Sequence, residues 1–482
     1  MILSTAQMLE AEAKAFAEGQ TAEELMEQAG SQLASLVRQF HPTPGTCQVF
    51  FGKGHNGGDV LVAARHLAAE GWRIVLERVF PEASLSPLTA TQLSRLPSSF
   101  VGQARPLVVL DGILGIGIQG DPRELVASAI HRINHLREHD AAWVLAADLP
   151  SGLRDDAPGN PCVKADATMA IGFFKSCLVA DHSTDFVGRL SLADLPTLRA
   201  PADADPAQIL TPKILSLPPR TFDQHKGMSG RVAIIAGSRC YPGAARLCSA
   251  AAVKAGAGLV TLVVPPDCVA TLSSSVIPEV MVRSLDDFGV LLNEKWDAFG
   301  IGPGLGRERD EMVCDFLRRC SAPCVVDADA LNALSDQMDV LRENAGPRLL
   351  TPHPLEMERL YPRNGRDRRQ WLSDFVSKYP VTLLLKGART LIGNYNSPVA
   401  FNTSGHPGMA SGGMGDVLTG VSAALIAQGK DIGDSARLAA WVCGRAAELA
   451  IRKNTVSQES LTASDVIAHL GEAFLDLRAG VF

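Results

Sequence analysis

Short apolar runs alternate with amphipathic stretches along most of this chain. Three runs in the first half predict buried strands, at residues 49–51, 107–110 and 143–146. Six runs in the second half predict further strands, at residues 232–236, 259–264, 298–301, 324–326, 349–350 and 381–385. Helical patterns separate most of them, and this alternation is typical of α/β domains with mainly parallel sheets.

A segment rich in Pro, Ala and Asp interrupts the pattern between residues 200 and 219. Such composition with little periodicity is typical of a linker. The sequence therefore predicts an N-terminal domain over residues 1–205, a linker over 206–220 and a C-terminal domain over 221–482. The N-terminal domain is expected to be a Rossmann-like, three-layer α/β/α domain.

Composition narrows the class of protein. The 482 residues are 46% hydrophobic and 20% charged, which is ordinary for globular domains. The net charge of -7 leaves no electrostatic footprint for nucleic acid or an anionic membrane. No apolar run approaches the roughly 20 residues that span a bilayer. The ten cysteines form no CxxC pair and indicate reduced thiols, so we expect a cytoplasmic protein.

Polar residues follow each of the three N-terminal strands. Asn56 lies in the first of these loops, Asp111 ends the second strand, and Asp148 and Ser151 follow the third. Ligands of open α/β sheets bind beyond the carboxyl ends of the strands, so these residues are expected to line one crevice. The oxygens of Asn56, Asp111 and Ser151 suit a hard cation, and Asp148 could act as an acid or base. The alternative is that Asp59 caps a helix and Asp148 begins a turn.

The segment from Gly115 to Gly120 matches the pattern GxGxxG directly after a strand. A dinucleotide fingerprint requires a helix that begins within the glycines. Here Asp121-Pro122 restarts the helix only after the third glycine, which argues against that interpretation.

The three loops read GHNGGDV, DGILGIG and DLPSG. They resemble the NAD(P)H-hydrate epimerase family, whose usual signatures are GNNGGDG, DALFGTG and DIPSG, and the resemblance covers residues 1 to about 200. It implies that Asn56, Asp111 and Ser151 hold a potassium ion. Two departures from the signatures, His55 and Val60, affect the finer substrate contacts. The residues that the resemblance places at the hydrated nucleotide are His55, Asn56, Gly57, Gly58, Asp59, Gly115, Ile116, Gly117, Ile118, Gln119, Gly120, Asp121 and Asp148.

A glycine-rich segment over residues 402–416 carries the strongest signal of the second half. Glycines at 412, 413 and 415 precede an apolar helical pattern, so they are expected to lie at the start of a helix. Free N–H groups and the helix dipole make such a start an anion site. Asp416 would then stand beside a bound polyphosphate, where it can take a proton from a hydroxyl. The alternative is a glycine-rich turn with Asp416 as an ordinary first-turn acid.

Other polar residues of the second half have open interpretations. The segment from Lys386 to Thr390 lies between two apolar runs and could be a hairpin turn that grips a nucleotide. Asp327 and Asp329 follow a strand and could position magnesium or cap the next helix. A lone His353 is more often a hydrogen-bonded structural residue.

The motifs HKGMSGR, KAGAGLVTL, GIGPGLG, TPHPLEM, LKGART and NTSGHPGMASGGMGDVLTG lie between Lys226 and Leu470. They resemble the NAD(P)H-hydrate dehydratase family, which has a ribokinase-like α/β fold. The resemblance implies that Asp416 is catalytic. The residues implied to hold an adenine nucleotide are Lys386, Gly387, Ala388, Arg389, Thr390 and Gly415. Those implied to contact the hydrated substrate are Ala244 or Ala245, Gly304, His353 and Asp416.

The two resemblances together imply a bifunctional repair enzyme, an isomerase joined to a lyase. Its substrates would be hydrated NADH and NADPH, and ADP, or alternatively ATP, with magnesium would phosphorylate the hydroxyl at C6 before phosphate leaves. ADP is our expectation, and we also expect a homo-oligomer. One alternative is a ribokinase-like small-molecule kinase. Another is that the N-terminal half is a binding module without catalysis, given His55 and Val60.

Overall fold

The chain folds into two units in a computed structural model, which describes residues 1–97, 102–116, 118, 120–343, 345–395, 397–452 and 456–481. The first unit is Met1–Ala207 and the second begins at Gln208 and ends at Val481. Each unit has its own mainly parallel sheet with helices packed on it. The predicted α/β class is confirmed.

The N-terminal unit alternates strands and helices. Its strands are β1 (Ile2–Leu3), β2 (Thr46–Phe51), β3 (Arg73–Arg78), β4 (Leu107–Gly112), β5 (Trp143–Ala147), β6 (Ala167–Ile171), β7 (Phe174–Lys175) and β8 (Arg189–Ala193). Its helices are α1 (Thr5–Ala17), α2 (Ala22–Phe40), α3 (His55–Ala69), α4 (Pro87–Ser94), α5 (Glu124–His139) and α6 (Thr184–Val187).

The main sheet of this unit has the parallel order β3-β2-β4-β5-β6-β8. Alternate strand residues face opposite sides: Val49 packs in a cluster with α2 and α3, whereas Phe50 packs in a cluster with α5. This gives the predicted α/β/α layers. The strand order reverses between β2 and β4, where open α/β sheets bind their ligands.

The C-terminal unit is larger. Its strands are β9 (Gln208–Leu210), β10 (Arg231–Ile235), β11 (Leu259–Val264), β12 (Val280–Ser284), β13 (Ala298–Ile301), β14 (Cys324–Val326), β15 (Arg348–Leu350), β16 (Thr382–Leu385), β17 (Leu391–Asn394) and β18 (Ser397–Asn402). Its helices are α7 (Pro242–Lys254), α8 (Val269–Ser273), α9 (Asp310–Arg319), α10 (Asp329–Ser335), α11 (Val340–Glu343), α12 (Pro354–Leu360), α13 (Arg368–Lys378), α14 (Met414–Ala427), α15 (Ile432–Arg452) and α16 (Ala463–Ala479).

The sheet of the second unit has the order β12-β11-β10-β13-β14-β15-β16-β17-β18-β9. It is parallel except where β17 pairs antiparallel with β16 and β18. Helix α14 is buried at every residue from Val417 to Ala427, because the sheet, α7 and α15 surround it. That burial explains why the sequence of α14 is apolar on all sides after its first turn.

Every strand predicted from an apolar run is present, and the helix predicted after the glycine-rich segment is α14. The strands that were not predicted include β1, β3, β6, β7, β8, β12 and β18. Of these, β3 and β12 are edge strands that carry exposed Arg73 and Met281 and mixed polarity. Part of the segment 206–220 differs from the predicted linker. Its residues Gln208–Leu210 form β9, which pairs with β18 and buries Ile209 and Leu210.

Among the described residues, no helix is both long enough and apolar enough to cross a membrane.

The pairing of β9 with β18 predicts where the second unit can be cut. A fragment of residues 206–482 should be more stable than one of 213–482 by about 3 kcal/mol, since the shorter one loses the burial of Ile209 and Leu210. Urea unfolding of both fragments measures the difference. Equal unfolding midpoints would show that β9 contributes nothing to this unit.

Candidate active sites

Asp111 joins two of the N-terminal loops. It is the penultimate residue of β4 and is fully buried. Its Oδ1 accepts a hydrogen bond from Ser151 Oγ at 2.6 Å, and its Oδ2 accepts from the Ser151 N–H at 2.8 Å. Burial raises the pKa of Asp111 to about 6, although hydrogen bonds from Ser151 and Ile113 oppose the shift. The loops after β4 and β5 are therefore held together by one buried carboxyl group.

Asn56 brings the third loop to the same place. It lies in the first turn of α3, and its Nδ2 donates to the Leu114 carbonyl at 2.9 Å. Its buried Oδ1 has no hydrogen-bond partner among the described residues, and Asp111 has no ion-pair partner there either. An unpartnered amide oxygen beside a buried carboxylate and the Ser151 hydroxyl fits a cation of low charge. The described residues form no cluster of three or more His, Cys, Asp or Glu side chains that would suit a divalent ion.

Asp148 follows β5 with φ of 62°, an uncommon backbone conformation for a non-glycine residue. Its Oδ1 accepts hydrogen bonds from the Ile171 N–H at 3.0 Å and from the ammonium of Lys175, which forms a close ion pair with it. The Lys175 side chain is only 1% exposed. The conformation and the ion pair hold Asp148 at the carboxyl end of the sheet.

Three residues around Asp148 were missed or understated by the sequence interpretation. Lys175 was not selected, although a single lysine within the apolar run 169–179 is an unusual pattern. Burial raises the pKa of Glu12, on α1, and the charge of Asp148 adds to that shift while Lys175 opposes it. Burial also raises the pKa of Asp59 well above its ordinary value, with Asp148 and Glu12 contributing. Asp59 therefore faces other carboxyl groups rather than capping α3, whose N-cap is Gly54.

The departures from the loop signature have different consequences. His55 is exposed at the start of α3. Val60 is fully buried, and a Cβ added to Gly112 would lie 2.4 Å from Val60 Cγ2. Val60 therefore fills space that Gly112 leaves open in the core, and it does not face the crevice. Gly58 is also a packing residue, since an added Cβ would lie 2.4 Å from the Met26 side chain.

The loop after β4 lies only partly within the described residues. Gly117 and Gln119 are outside them, whereas Gly115, Ile116, Ile118, Gly120 and Asp121 are described. Ile118 lines a cleft of about 310 Å³ together with Thr5, Leu149 and Arg154. Asp121 accepts hydrogen bonds from Arg154 and from the Asn160 N–H, so it connects this loop to the one after β5.

Asp416 lies in the first turn of α14, whose N-cap is Gly413. Burial raises the pKa of Asp416 to about 7, and the charge of Asp327 adds to the shift while Lys386 opposes it. Asp416 has no hydrogen-bond partner among the described residues. A carboxyl group with this pKa beside free helix N–H groups can exchange a proton near neutral pH.

Asp327 and Lys386 form the buried ion pair of this site. The Lys386 ammonium lies 2.9 Å from Asp327 Oδ1 and 3.6 Å from Glu356 Oε2. Thr419 Oγ1 donates to Asp327 Oδ2 at 3.0 Å. Burial opposes ionisation of Asp327, but Lys386 and the hydrogen bonds outweigh it and hold its pKa below the ordinary value. Glu356 was not selected from the sequence, although the spacing His-Pro-Leu-Glu is a capping-box pattern.

Gly415 leaves the first turn of α14 without a side chain at the position next to Asp327 and Lys386. A Cβ added there would lie 3.3 Å from both Asp327 Oδ2 and Lys386 Nζ, so the glycine borders the ion pair directly. Lys386 begins the turn between β16 and β17, as the sequence predicted, and Arg368 donates to the carbonyls of Lys386 and Arg389 from behind. Of the predicted nucleotide residues, Lys386 and Gly415 thus lie next to each other at the start of α14.

The remaining predicted residues separate into surface and core. Ala244 contacts Gly304, since a Cβ added to Gly304 would lie 3.0 Å from Ala244 Cβ. Ala245 is instead fully buried, with its side chain close to Gly237. His353 is the N-cap of α12, where its Nδ1 accepts from two backbone N–H groups. Asp329 accepts from the Gly306 N–H at 2.8 Å, so it neither caps α10 nor offers a free carboxylate to magnesium.

Known protein families match the two units of the chain separately. The profile of the family described as YjeF-related protein N-terminus matches residues 22–177, and that of NAD(P)H-hydrate dehydratase matches residues 232–469. A bifunctional NAD(P)H-hydrate repair enzyme from Moorella thermoacetica is 35% identical, over 92% of this chain and 91% of its own. The corresponding enzyme from Escherichia coli is 32% identical, over 94% and 89%.

A solved structure supports the fold of the second unit. A ribokinase-like superfamily protein from Enterococcus faecalis superposes with a TM-score of 0.50 at 24% identity, over 59% of this chain and 99% of its own. The ribokinase-like fold expected from the motifs is confirmed.

The buried ion pair predicts a large stability effect. Lys386→Met should lower the free energy of unfolding by about 3 to 5 kcal/mol, because it leaves Asp327 as a buried carboxylate without its cation. Urea unfolding at neutral pH measures this, with the exposed Lys295→Met as the matched control. A Lys386→Met protein as stable as the control would mean that Thr419 and Thr351 alone satisfy Asp327.

Proposed function

This chain belongs to the family of bifunctional NAD(P)H-hydrate repair enzymes, and from that premise we propose how its two sites divide the reaction. The N-terminal site interconverts the R and S hydrates of NADH and NADPH. The C-terminal site dehydrates the S hydrate at the expense of an adenine nucleotide. The single observation that carries the proposal is Asp416, an unpartnered carboxyl group with a pKa of about 7 at a glycine-rich helix start.

We propose that Asp416 takes the proton of the C6 hydroxyl while that oxygen attacks the terminal phosphoryl group of the nucleotide. Hydroxide is a poor leaving group, whereas phosphate is a good one, so phosphorylation prepares the elimination. The N–H groups at the start of α14 would stabilise the transferring phosphoryl group. Gly304, His353 and either Ala244 or Ala245 are the proposed substrate contacts, and the burial of Ala245 favours Ala244.

The nucleotide is proposed to lie between the turn Lys386–Thr390 and the start of α14. Lys386 retains its positive charge there, because Asp327 and Glu356 outweigh the effect of burial and raise its pKa. Asp327 and Asp329 are both engaged by protein donors, so they suit a dedicated magnesium cage poorly. Magnesium would be held mainly by phosphate oxygens and would neutralise their charge. ADP remains the proposed donor, with ATP as the alternative.

In the N-terminal unit, Asn56, Asp111 and Ser151 are the proposed potassium ligands. The unpartnered Asn56 oxygen and the uncompensated Asp111 support this role. The ion would supply positive charge that braces the three loops. Asp148 then faces the nicotinamide ring as its acid or base, and Asp59 and the loop of Gly115 to Asp121 contact the hydrated nucleotide. Because Val60 lies in the core, it gives no reason to deny this unit catalysis.

All ten cysteines are free in the structure and nine of them are buried, which fits the proposed cytoplasmic location. Homo-oligomerisation stays a prediction.

The role of Asp416 predicts a mutant and a pH profile. Asp416→Asn should lower the dehydratase rate by two to four orders of magnitude, about 3 to 5 kcal/mol of transition-state stabilisation, and leave epimerisation intact. In the unmodified enzyme, kcat/KM should rise with pH and reach half its limit near the pKa of about 7, since Asp416 must be ionised to act as base. Recovery of reduced-nicotinamide absorbance measures both. A mutant that retains most of its rate would remove Asp416 from the mechanism.

The proposed cation site predicts a change confined to the first unit. Asp111→Ala should weaken potassium binding and slow epimerisation without affecting dehydration, because it removes the only charged ligand. Chromatography of the two epimers in potassium buffer and in a bulky organic-cation buffer measures the rate. Equal rates in the two buffers, or an unimpaired Asp111→Ala protein, would show that no cation takes part.

A further inference from the structure

The N-terminal site contains a buried lysine, Lys175, that has no role in the proposed chemistry. We propose that Lys175 is a positioning residue for epimerisation: it holds the carboxyl group of Asp148 with one oxygen anchored and the other directed to the substrate. This inference rests on the proposed epimerase function. It assigns a role within that site to a residue that no loop signature includes.

The two oxygens of Asp148 have different surroundings. Oδ1 accepts both the Lys175 ammonium and the Ile171 N–H. Oδ2 accepts no hydrogen bond from the described residues. A carboxylate held in this way keeps one orientation and one available lone-pair oxygen. When the proton of the C6 hydroxyl moves to Oδ2, C6 becomes a carbonyl carbon and the C6–N1 bond breaks with its electron pair left on N1. When N1 re-forms that bond on the other face of the carbonyl, Oδ2 returns the proton to the oxygen.

Lys175 is itself held firmly. Its Nζ also donates to the Ile171 carbonyl at 2.8 Å, and β7, which contains it, pairs with β1. Its side chain is 1% exposed, whereas that of Asp148 is 11% exposed. Lys175 therefore lies behind Asp148 and cannot touch a bound nucleotide. Lys175 therefore acts on the reaction through the carboxyl groups beside it, and Asp148 is the one with which it forms an ion pair.

The charges around the pair show why the site needs a cation. Glu12 faces it from α1, Asp59 from α3 and Cys177 from the turn after β7. The charge of Lys175 opposes the rise in the pKa of each of these three groups, so Lys175 is a cation within an acidic cluster. A carboxylate among acidic neighbours stays ionised only beside an opposite charge.

The test is Lys175→Met, with exposed Lys164→Met as its matched control. We expect kcat for epimerisation to fall about 100-fold with KM unchanged, because Asp148 loses its orientation but the nucleotide loses no contact. The acidic limb of the pH–rate profile should also move to higher pH by about one unit or more, since the base has lost its counter-charge. A purely structural lysine would not move that limb. The dehydratase rate of the same protein checks that the rest of the chain is intact.

A second variant decides the matter if Lys175→Met does not fold. Glu12→Gln, on the half-buried face of α1, removes a carboxylate that shares Lys175 with Asp148, so the acidic limb should move to lower pH. The proposal is overturned by a folded Lys175→Met protein with unchanged kcat and pH profile, or by a Glu12→Gln limb that does not move. If the unmodified enzyme does not epimerise at all, the proposed function fails instead, so the two failures are distinguishable.

Discussion

Removal of carboxylates from water is the constraint on which both sites depend. Parallel strands bring Asp111, Asp148 and Asp327 to the carboxyl edges of their sheets, where each is buried. The protein compensates them differently. Asp148 and Asp327 each have a lysine, whereas Asp111 has only hydrogen bonds and Asp416 has no hydrogen-bond partner among the described residues. Those differences favour a fixed ion pair at Asp148 and at Asp327. They favour a cation site at Asp111 and a base that titrates at Asp416.

The same compensation makes the chemistry of each unit depend on residues distant in sequence. Lys175 reaches Asp148 from 27 positions away, and Lys386 reaches Asp327 from 59 positions away. Both lysines lie near the carboxyl edge of a sheet, and each is held by backbone around it. The proposed reaction therefore relies on the sheets to keep opposite charges together, rather than on the glycine-rich loops alone.

Much of this could be predicted from the sequence, because buried parallel strands are apolar runs and their polar ends are visible beside them. The loops of Asn56, Asp111 and Ser151 and the start of α14 were located in that way. Lys175 could not be located in that way, because only the pairing of the two-residue strands β1 and β7 brings it inward. Ala244 and Ala245 are equivalent in sequence, and only the direction of their Cβ atoms separates surface from core. Strand β9 was not predicted because its segment has a composition typical of linkers.

Val60 and Gly112 show how a family signature can diverge without loss of the site. The usual signature has glycine at position 60 and alanine at 112, whereas this chain has a larger residue at the first position and a smaller one at the second. A Cβ at position 112 would lie 2.4 Å from Val60 Cγ2 and 2.8 Å from the Asn56 carbonyl oxygen, so alanine beside valine would require both neighbours to shift. The larger residue at position 60 thus accompanies the smaller one at position 112, and we expect the two positions to vary together. Loops transplanted between relatives should carry both positions together, and divergence counted one position at a time overstates the distance between their active sites.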